Sequence, residues 1–249
     1  MIQFMKQVLK REKDFCNQYL GGEIESGGWL RKKNDFFKEY AVAIDTQYII
    51  RNQKTNLKYY PYVKRFLDIL LSLLALPIAI PIILIFAIII KLETPGPAFF
   101  LQERVGLHGK YFKVIKLRSM GVNAEKNGAQ WATKNDPRVT KVGAFIRKTR
   151  IDELPQLFNV LKGDMSLIGP RPERPMFTAQ FNKEIPGFID RLQVKPGITG
   201  WAQVNGGYDI TPREKLELDR YYINNISFWL DLKIILKTIK VCITGDGAR

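Results

Sequence analysis

From Ile69 to Ile90 the chain carries no charged residue, and the wider stretch FLDILLSLLALPIAIPIILIFAIII (66–90) holds a single acid, Asp68. At ~1.5 Å per residue a straight helix of this length crosses a ~30 Å hydrocarbon core, so the run reads as a membrane segment. Two prolines interrupt it. Pro77 and Pro81 lack the N–H groups that the carbonyls of Leu73 and Pro77 would accept, so a kink or break is expected, leaving halves too short to span. A spanning helix should also separate a Lys/Arg-rich flank from a poorer one. Here residues 1–65 carry a formal charge of +6 and residues 91–249 carry +10. Two basic flanks favour a re-entrant, proline-broken helix that enters and leaves on one face; a kinked spanning helix is the alternative.

The chain as a whole is ordinary in hydrophobicity and extreme in charge. Its 249 residues, 46% hydrophobic, suffice for one large domain or a domain with an appendage. A net charge of +15 calls for an anionic partner: nucleic acid, a membrane surface or a phosphorylated substrate. Cys16 and Cys242 are the only cysteines and have no metal-ligand spacing, which argues against a disulfide framework or structural zinc. The single histidine, His108, sits in the glycine-flanked GLHGK and excludes an HExxH site. The start, MIQFMKQVLKREKDF, lacks the apolar core of a secretory signal, and a cytosolic N-terminus is expected. The expected division is an extension over 1–60 with no motif, a membrane helix-break-helix over 61–92, and a catalytic domain over 93–249.

Within that domain, PAFFLQERVG and KYFKVIKLRSM read as two strands of a β-hairpin closed by the Gly106 to Gly109 turn. Residues 152–162 fit a helix, LKGDMSLIGPRPERP a loop, and VKPGITGWAQVNGG a second, glycine-rich loop. In ISFWLDLKIILKTIKVCI, Lys233, Lys237 and Lys240 share one helical face and Leu232, Ile235 and Ile239 another. That pattern fits an amphipathic helix in a membrane interface, or one packed on the protein's own core.

The residues that invite chemistry are the adjacent acids of TRIDELPQLFNVLKGDMSLIGPRP. Neighbouring residues on a helix diverge by about 100°, so Asp152 and Glu153 suit two different tasks better than a shared proton. Pro155 fits a first helical turn, which places Asp152 near the N-cap, where the helix dipole favours an ionised carboxylate. Taken alone, the pair reads first as an ordinary N-cap followed by an ordinary first-turn acid. Its surroundings add to it: Arg147, Lys148 and Arg150 precede the pair, and Arg171 and Arg174 follow in GPRPERP. Arginine matches phosphate oxygens bidentately, so acids among arginines point to phosphoryl chemistry. Lys116 and Arg118 share a strand face and would reach one anion, or else form a solvated edge. No GxxxxGK[ST] loop is present.

Residues 61–244 resemble the bacterial sugar transferases, also called monotopic phosphoglycosyl transferases or undecaprenyl-phosphate sugar phosphotransferases. The resemblance is carried, in order, by KRFLDILLSLLALPIAIPIILIFAIIIKLETPGPAFFLQERVG, FKVIKLRSM, TRIDELPQLFNVLKGDMSLIGPRP, VKPGITGWAQVNG and ELDRYYINNISFWLDLKI. It implies a mixed α/β, mainly helical monotopic protein on the cytoplasmic face of the bacterial inner membrane. The implied reaction moves a sugar 1-phosphate from a UDP-sugar to polyprenyl phosphate, releases UMP and begins assembly of a surface glycan such as exopolysaccharide or capsule. It further implies Asp152 as the nucleophile of a covalent phosphosugar intermediate and Glu153 as a ligand of Mg²⁺. Arg147 and Arg171 would contact phosphate, Pro170 and Pro172 would frame the loop, and Lys113, Lys116, Arg118, Gln203, Asn205 and Asp219 are further candidates.

Two departures stand out. The family's helix often breaks at Ser-Pro, whereas Ile80-Pro81 stands here, and Gly207 occupies a position that is Arg in many relatives. UDP-sugar, polyprenyl phosphate and membrane phospholipids are the expected partners, nucleic acid is not, and a homo-oligomer is left open. The competing reading is a membrane-tethered basic binding or scaffold protein without catalysis.

Overall fold

The computed structural model describes residues 60–126, 133, 136–206 and 210–244, without the side chain of residue 243. Apart from Tyr60, the extension expected over 1–60 lies outside these residues, as does Gly207. The fold is mainly helical with two two-stranded sheets.

Helix α1, Tyr60–Glu93, is long and apolar enough to cross a membrane. Asp68, Ser72, Leu76, Ala79, Ile83 and Ile90 are buried at steps of three, four and seven, one stripe down its length. The other side leaves Leu74, Ile78, Ile85 and Ile88 exposed. Leu76, Ala79, Ile83 and Ile90 join Ala98, Leu117, Ile146 and Leu157 in one core cluster, so the helix is a wall of the domain's own core. The expected break is not found: Pro77 and Pro81 lie inside a continuous helix. Each proline removes one backbone hydrogen bond at a cost of ~3 kcal/mol. Burial of Leu76, Ala79 and Ile83 around them holds the backbone helical against that loss.

Both ends of α1 are tied to the same domain. Near its start, Asp68 Oδ1 accepts from Ser166 Oγ and Leu167 N, both at 3.0 Å. Arg65 donates to the Val160 and Leu161 carbonyls at 2.7 and 2.9 Å. At its end, Glu93 Oε1 accepts from Val142 N at 3.1 Å.

Strands β1, Phe99–Val105, and β2, Tyr111–Leu117, form the expected antiparallel hairpin, with Phe99 opposite Leu117 and Val105 opposite Tyr111. Helix α2, Lys141–Lys148, leads into a 3-10 turn, Ile151–Glu153, and helix α3, Gln156–Lys162. The two segments read as loops carry more order than expected. Strands β3, Ser166–Ile168, and β4, Gly197–Thr199, pair in parallel, and a short helix α5, Trp201–Gly206, follows. Three-residue strands are too short to show a periodicity. They pair because glycines let the backbones meet: a Cβ on Gly197 would lie 2.1 Å from Gly169 N, and one on Gly200 2.1 Å from Gly169 O.

Helix α4, Pro175–Glu184, and a 3-10 segment, Phe188–Gln193, bridge the two strands. Helix α6, Pro212–Asn224, is closed at its start by the Thr211/Glu214 capping box. Helix α7, Phe228–Thr244, buries Leu230 and Ile234 in a second core with Ile168, Tyr222 and Ile223. It exposes Trp229, Leu236 and Ile239, so it both packs on the protein and presents an apolar outer face. Asp231 of α7 accepts from Tyr60 at 2.6 Å, Lys64 at 2.7 Å and Tyr222 at 2.9 Å, which clasps α7 to the start of α1.

Candidate active site

The chain reverses at Arg150, whose φ of 59° is left-handed, and then winds through bonds of the i to i+3 kind from Arg150 O to Phe158 N. Such winding stacks every third side chain, giving three ridges. Ile151, Leu154 and Leu157 face the first core. Glu153 and Asn159 face β2: Glu153 Oε1 accepts from Lys116 Nζ at 3.0 Å, and Asn159 accepts from Ile115 N at 3.0 Å while donating to Lys113 O at 2.8 Å. The third ridge carries Asp152, Pro155 and the exposed Phe158. The acid pair is therefore diverted onto two ridges by the backbone itself.

This corrects the expected geometry of a helix over 152–162. The α-helix starts at Gln156, and Pro155 occupies its N-cap, so Asp152 is not an N-cap. Its ionisation depends on side-chain charges. Burial and the neighbouring Glu153 charge push the Asp152 carboxyl up to about 6, against the pull of Lys116, Arg171 and Arg147. Among the described residues no group donates a hydrogen bond to it. Glu153 is in the opposite condition. Burial opposes its ionisation, but Arg171 and Lys116 outweigh burial and hold it well below the usual carboxylate range. Arg171 grips it with both Nη atoms, Nη1 to Oε2 at 3.2 Å and Nη2 to Oε1. Asn159→Ala, which removes both bonds to β2, is expected to lower stability by about 2–3 kcal/mol in thermal unfolding.

Arg171 is held by a loop whose every carbonyl is engaged. Pro170 O accepts from Gly197 N at 3.0 Å and Arg171 O from Arg191 Nη2 at 2.9 Å. Pro172 O accepts from Arg104 Nη1 at 2.9 Å and Glu173 O from Val105 N at 2.9 Å. Pro170 and Pro172 are buried and stiffen this cradle. Behind it lies a charge network: Arg191 meets Asp219 Oδ2 through Nε at 3.0 Å and Nη2 at 2.6 Å, and Glu173 faces Lys215, Arg191 and Arg104. Sequence reading missed Arg104, Glu173, Arg191 and Lys215. Each is a single charge whose partner is not near it in the sequence, and only the fold assembles them.

The structure thus brings together Asp152, Glu153, Lys116 and Arg171, with Arg147 on α2 close enough to act on Asp152. The other candidates are placed elsewhere. Arg118 is buried and donates to Pro95 O at 2.7 Å and to Thr94 O and Oγ1 at 2.8 and 2.9 Å, fastening the end of α1. Lys113 is exposed and, three residues from Lys116, stands on the opposite strand face. Asp219 is spent on Arg191, and burial raises its pKa. Gln203 donates weakly to Ile198 O at 3.5 Å, and Asn205 joins Trp201 O at 2.7 Å to Lys237.

Among the described residues no group of three or more His, Cys, Asp or Glu side chains is placed to hold a metal. The acid pair can still serve a hard cation that keeps its waters and binds through one or two carboxylates and substrate phosphates. Glu153 Oε1 is filled by Lys116 and Arg171, but Oε2 accepts a single bond and the Asp152 oxygens accept none among the described residues.

The profile of the bacterial sugar transferase family matches residues 59–245. The chain is 56% identical over 194 residues to the UDP-N-acetylgalactosamine-undecaprenyl-phosphate N-acetylgalactosaminephosphotransferase of Aeromonas hydrophila, covering 76% of this chain and 46% of that protein. It is 46% identical over 181 residues to the UDP-glucose:undecaprenyl-phosphate glucose-1-phosphate transferase of Escherichia coli K12, covering 71% and 39%. With the enzyme of that same description from Caulobacter vibrioides it shares 43% identity over 190 residues, covering 74% and 71%. The chain spans less than half the length of the first two.

Proposed function

The chain belongs to the bacterial sugar transferase family, and we propose that it transfers a sugar 1-phosphate from a UDP-sugar to polyprenyl phosphate in two displacements. The observation that carries this reading is the division of the acid pair. Glu153 is locked between Arg171 and Lys116, whereas Asp152, flanked by the same cations, has no hydrogen-bond donor among the described residues. A carboxylate in that state is a nucleophile in waiting.

In the first displacement an Asp152 oxygen attacks the phosphorus that bears the sugar, and the bond to the UMP oxygen breaks. In the second an oxygen of polyprenyl phosphate attacks that same phosphorus, and the bond to Asp152 breaks. Arg171, Lys116 and Arg147 offset the charge gathered by the phosphates, and the rigid cradle behind Arg171 fixes it before substrate arrives. Glu153 Oε2 and Asp152 would hold Mg²⁺, which when bound neutralises the diphosphate.

We infer the membrane arrangement from α1. Both its ends and the buried stripe between them rest on one domain, which supports a helix that enters and leaves the bilayer on the same, cytoplasmic, face. The relative with 56% identity makes UDP-N-acetylgalactosamine the first donor to test.

The deciding experiment adds UDP-sugar without lipid acceptor. The expected result is a burst of UMP equal to the enzyme present and a phosphosugar adduct on Asp152. Turnover with no adduct, in a ternary-complex kinetic pattern, would show that polyprenyl phosphate attacks directly.

A further inference from the structure

Lys233 and Lys237 stand one turn apart on α7, and both hold their ammonium groups over a single indole. Lys233 Nζ lies 5.4 Å and Lys237 Nζ 5.0 Å from the Trp201 ring centroid. The platform is preorganised: Trp201 stacks on Tyr221 with centroids 5.4 Å apart, and Asn205 bridges Trp201 O at 2.7 Å to Lys237. Among the described residues no carboxylate pairs with either lysine. Two like charges gathered at one aromatic face repel, and a ring quadrupole offsets only part of that. An anion seated at that face would offset the repulsion.

Two observations identify the anion. On the same helix Trp229, Leu236 and Ile239 are exposed, so the anion arrives beside apolar material. Lys116 and Arg171 contact Glu153 directly, whereas Lys233 and Lys237 are gathered over Trp201, so the platform is a second cluster of cations. The platform is nevertheless joined to the Arg171 loop, since Thr238 of α7 bonds Thr199 at 2.7 Å and Thr199 O accepts from Gly169 N at 2.9 Å.

We propose that Lys233, Lys237 and Trp201 form a binding site for the phosphate of an anionic glycerophospholipid, whose occupancy steadies α7 and, through β4, the loop that carries Arg171. Because lipid retention needs no sugar transfer, the site can be read without turnover.

The full chain is purified in mild detergent and offered phosphatidylglycerol, phosphatidylcholine, undecaprenyl phosphate or inorganic phosphate, and retained ligand is measured by native mass spectrometry. Wild type is expected to retain phosphatidylglycerol over phosphatidylcholine. The K233Q/K237Q variant should bind it about 30-fold more weakly, from two lysines near a lipid surface, and K233R/K237R should keep it. In nanodiscs, phosphatidylglycerol should raise wild-type UMP release, while K233Q/K237Q matches wild type in phosphatidylcholine and does not respond. Equal retention by the glutamine variant, retention of undecaprenyl phosphate instead, or displacement by inorganic phosphate at equal concentration would overturn the site. Loss of UMP release in every lipid with retention intact would instead count against the transferase reading.

Discussion

Asp152→Asn is expected to lose turnover by ~10³-fold or more and, at the same time, to make the protein more stable at neutral pH. The first effect follows from removing the nucleophile proposed above. The second follows from the Asp152 carboxyl, which burial and Glu153 push up to about 6. An unfolded aspartate titrates near 3.9, so between those values the folded state binds the extra proton. Stability therefore falls as pH rises through that window, and the full cost of the buried charge is present above it. Asparagine is free of that cost, a gain of up to about 3 kcal/mol near neutral pH that vanishes below about pH 4. Chemical denaturation in detergent at the two pH values checks the sign, and a variant less stable than wild type at neutral pH would contradict it. Wild-type kcat/KM should fall tenfold per pH unit below about 6, since the proposed attack needs Asp152 ionised in the free enzyme.

Such a trade between stability and chemistry explains why the two acids, adjacent in sequence, need unequal surroundings. Glu153 gains its charge partners and gives up reactivity; Asp152 keeps its oxygens open and bears the desolvation. The charge run around TRIDELPQ and GPRPERP showed that anions and cations meet here, and the divergence of neighbouring side chains argued against a shared proton. The 3-10 winding that separates them was not visible, because it depends on the reversal at Arg150 and on the pull of Ile151, Leu154 and Leu157 into the α1 core.

Pleat parity was similarly half informative. It put Lys116 and Arg118 on one strand face, but not what lies above that face: Glu153 at one position, the Thr94 and Pro95 carbonyls at the other. The long apolar run and the Gly106 turn were legible because each is local. Strands β3 and β4 were not, since three residues carry no period and their pairing depends on glycines 28 or more positions apart.

The buried network behind Arg171 yields the other large effect. Arg191 and Asp219 are 3% and 1% exposed, so removing one partner strands a charge away from water. Asp219→Ala is expected to cost about 3–5 kcal/mol, a large part of a typical domain's margin, and Arg191→Met a comparable amount. Replacing both at once, as Arg191→Met with Asp219→Leu, removes the stranded charge and should recover much of that loss. Turnover should not recover with it, because the Arg171 carbonyl still lacks the donor that Arg191 Nη2 supplies at 2.9 Å. A folded double variant with depressed kcat separates loop positioning from mere stability. If its kcat equals that of wild type, the clamp serves the fold alone, and Arg171 is positioned by Glu153 and the two flanking prolines.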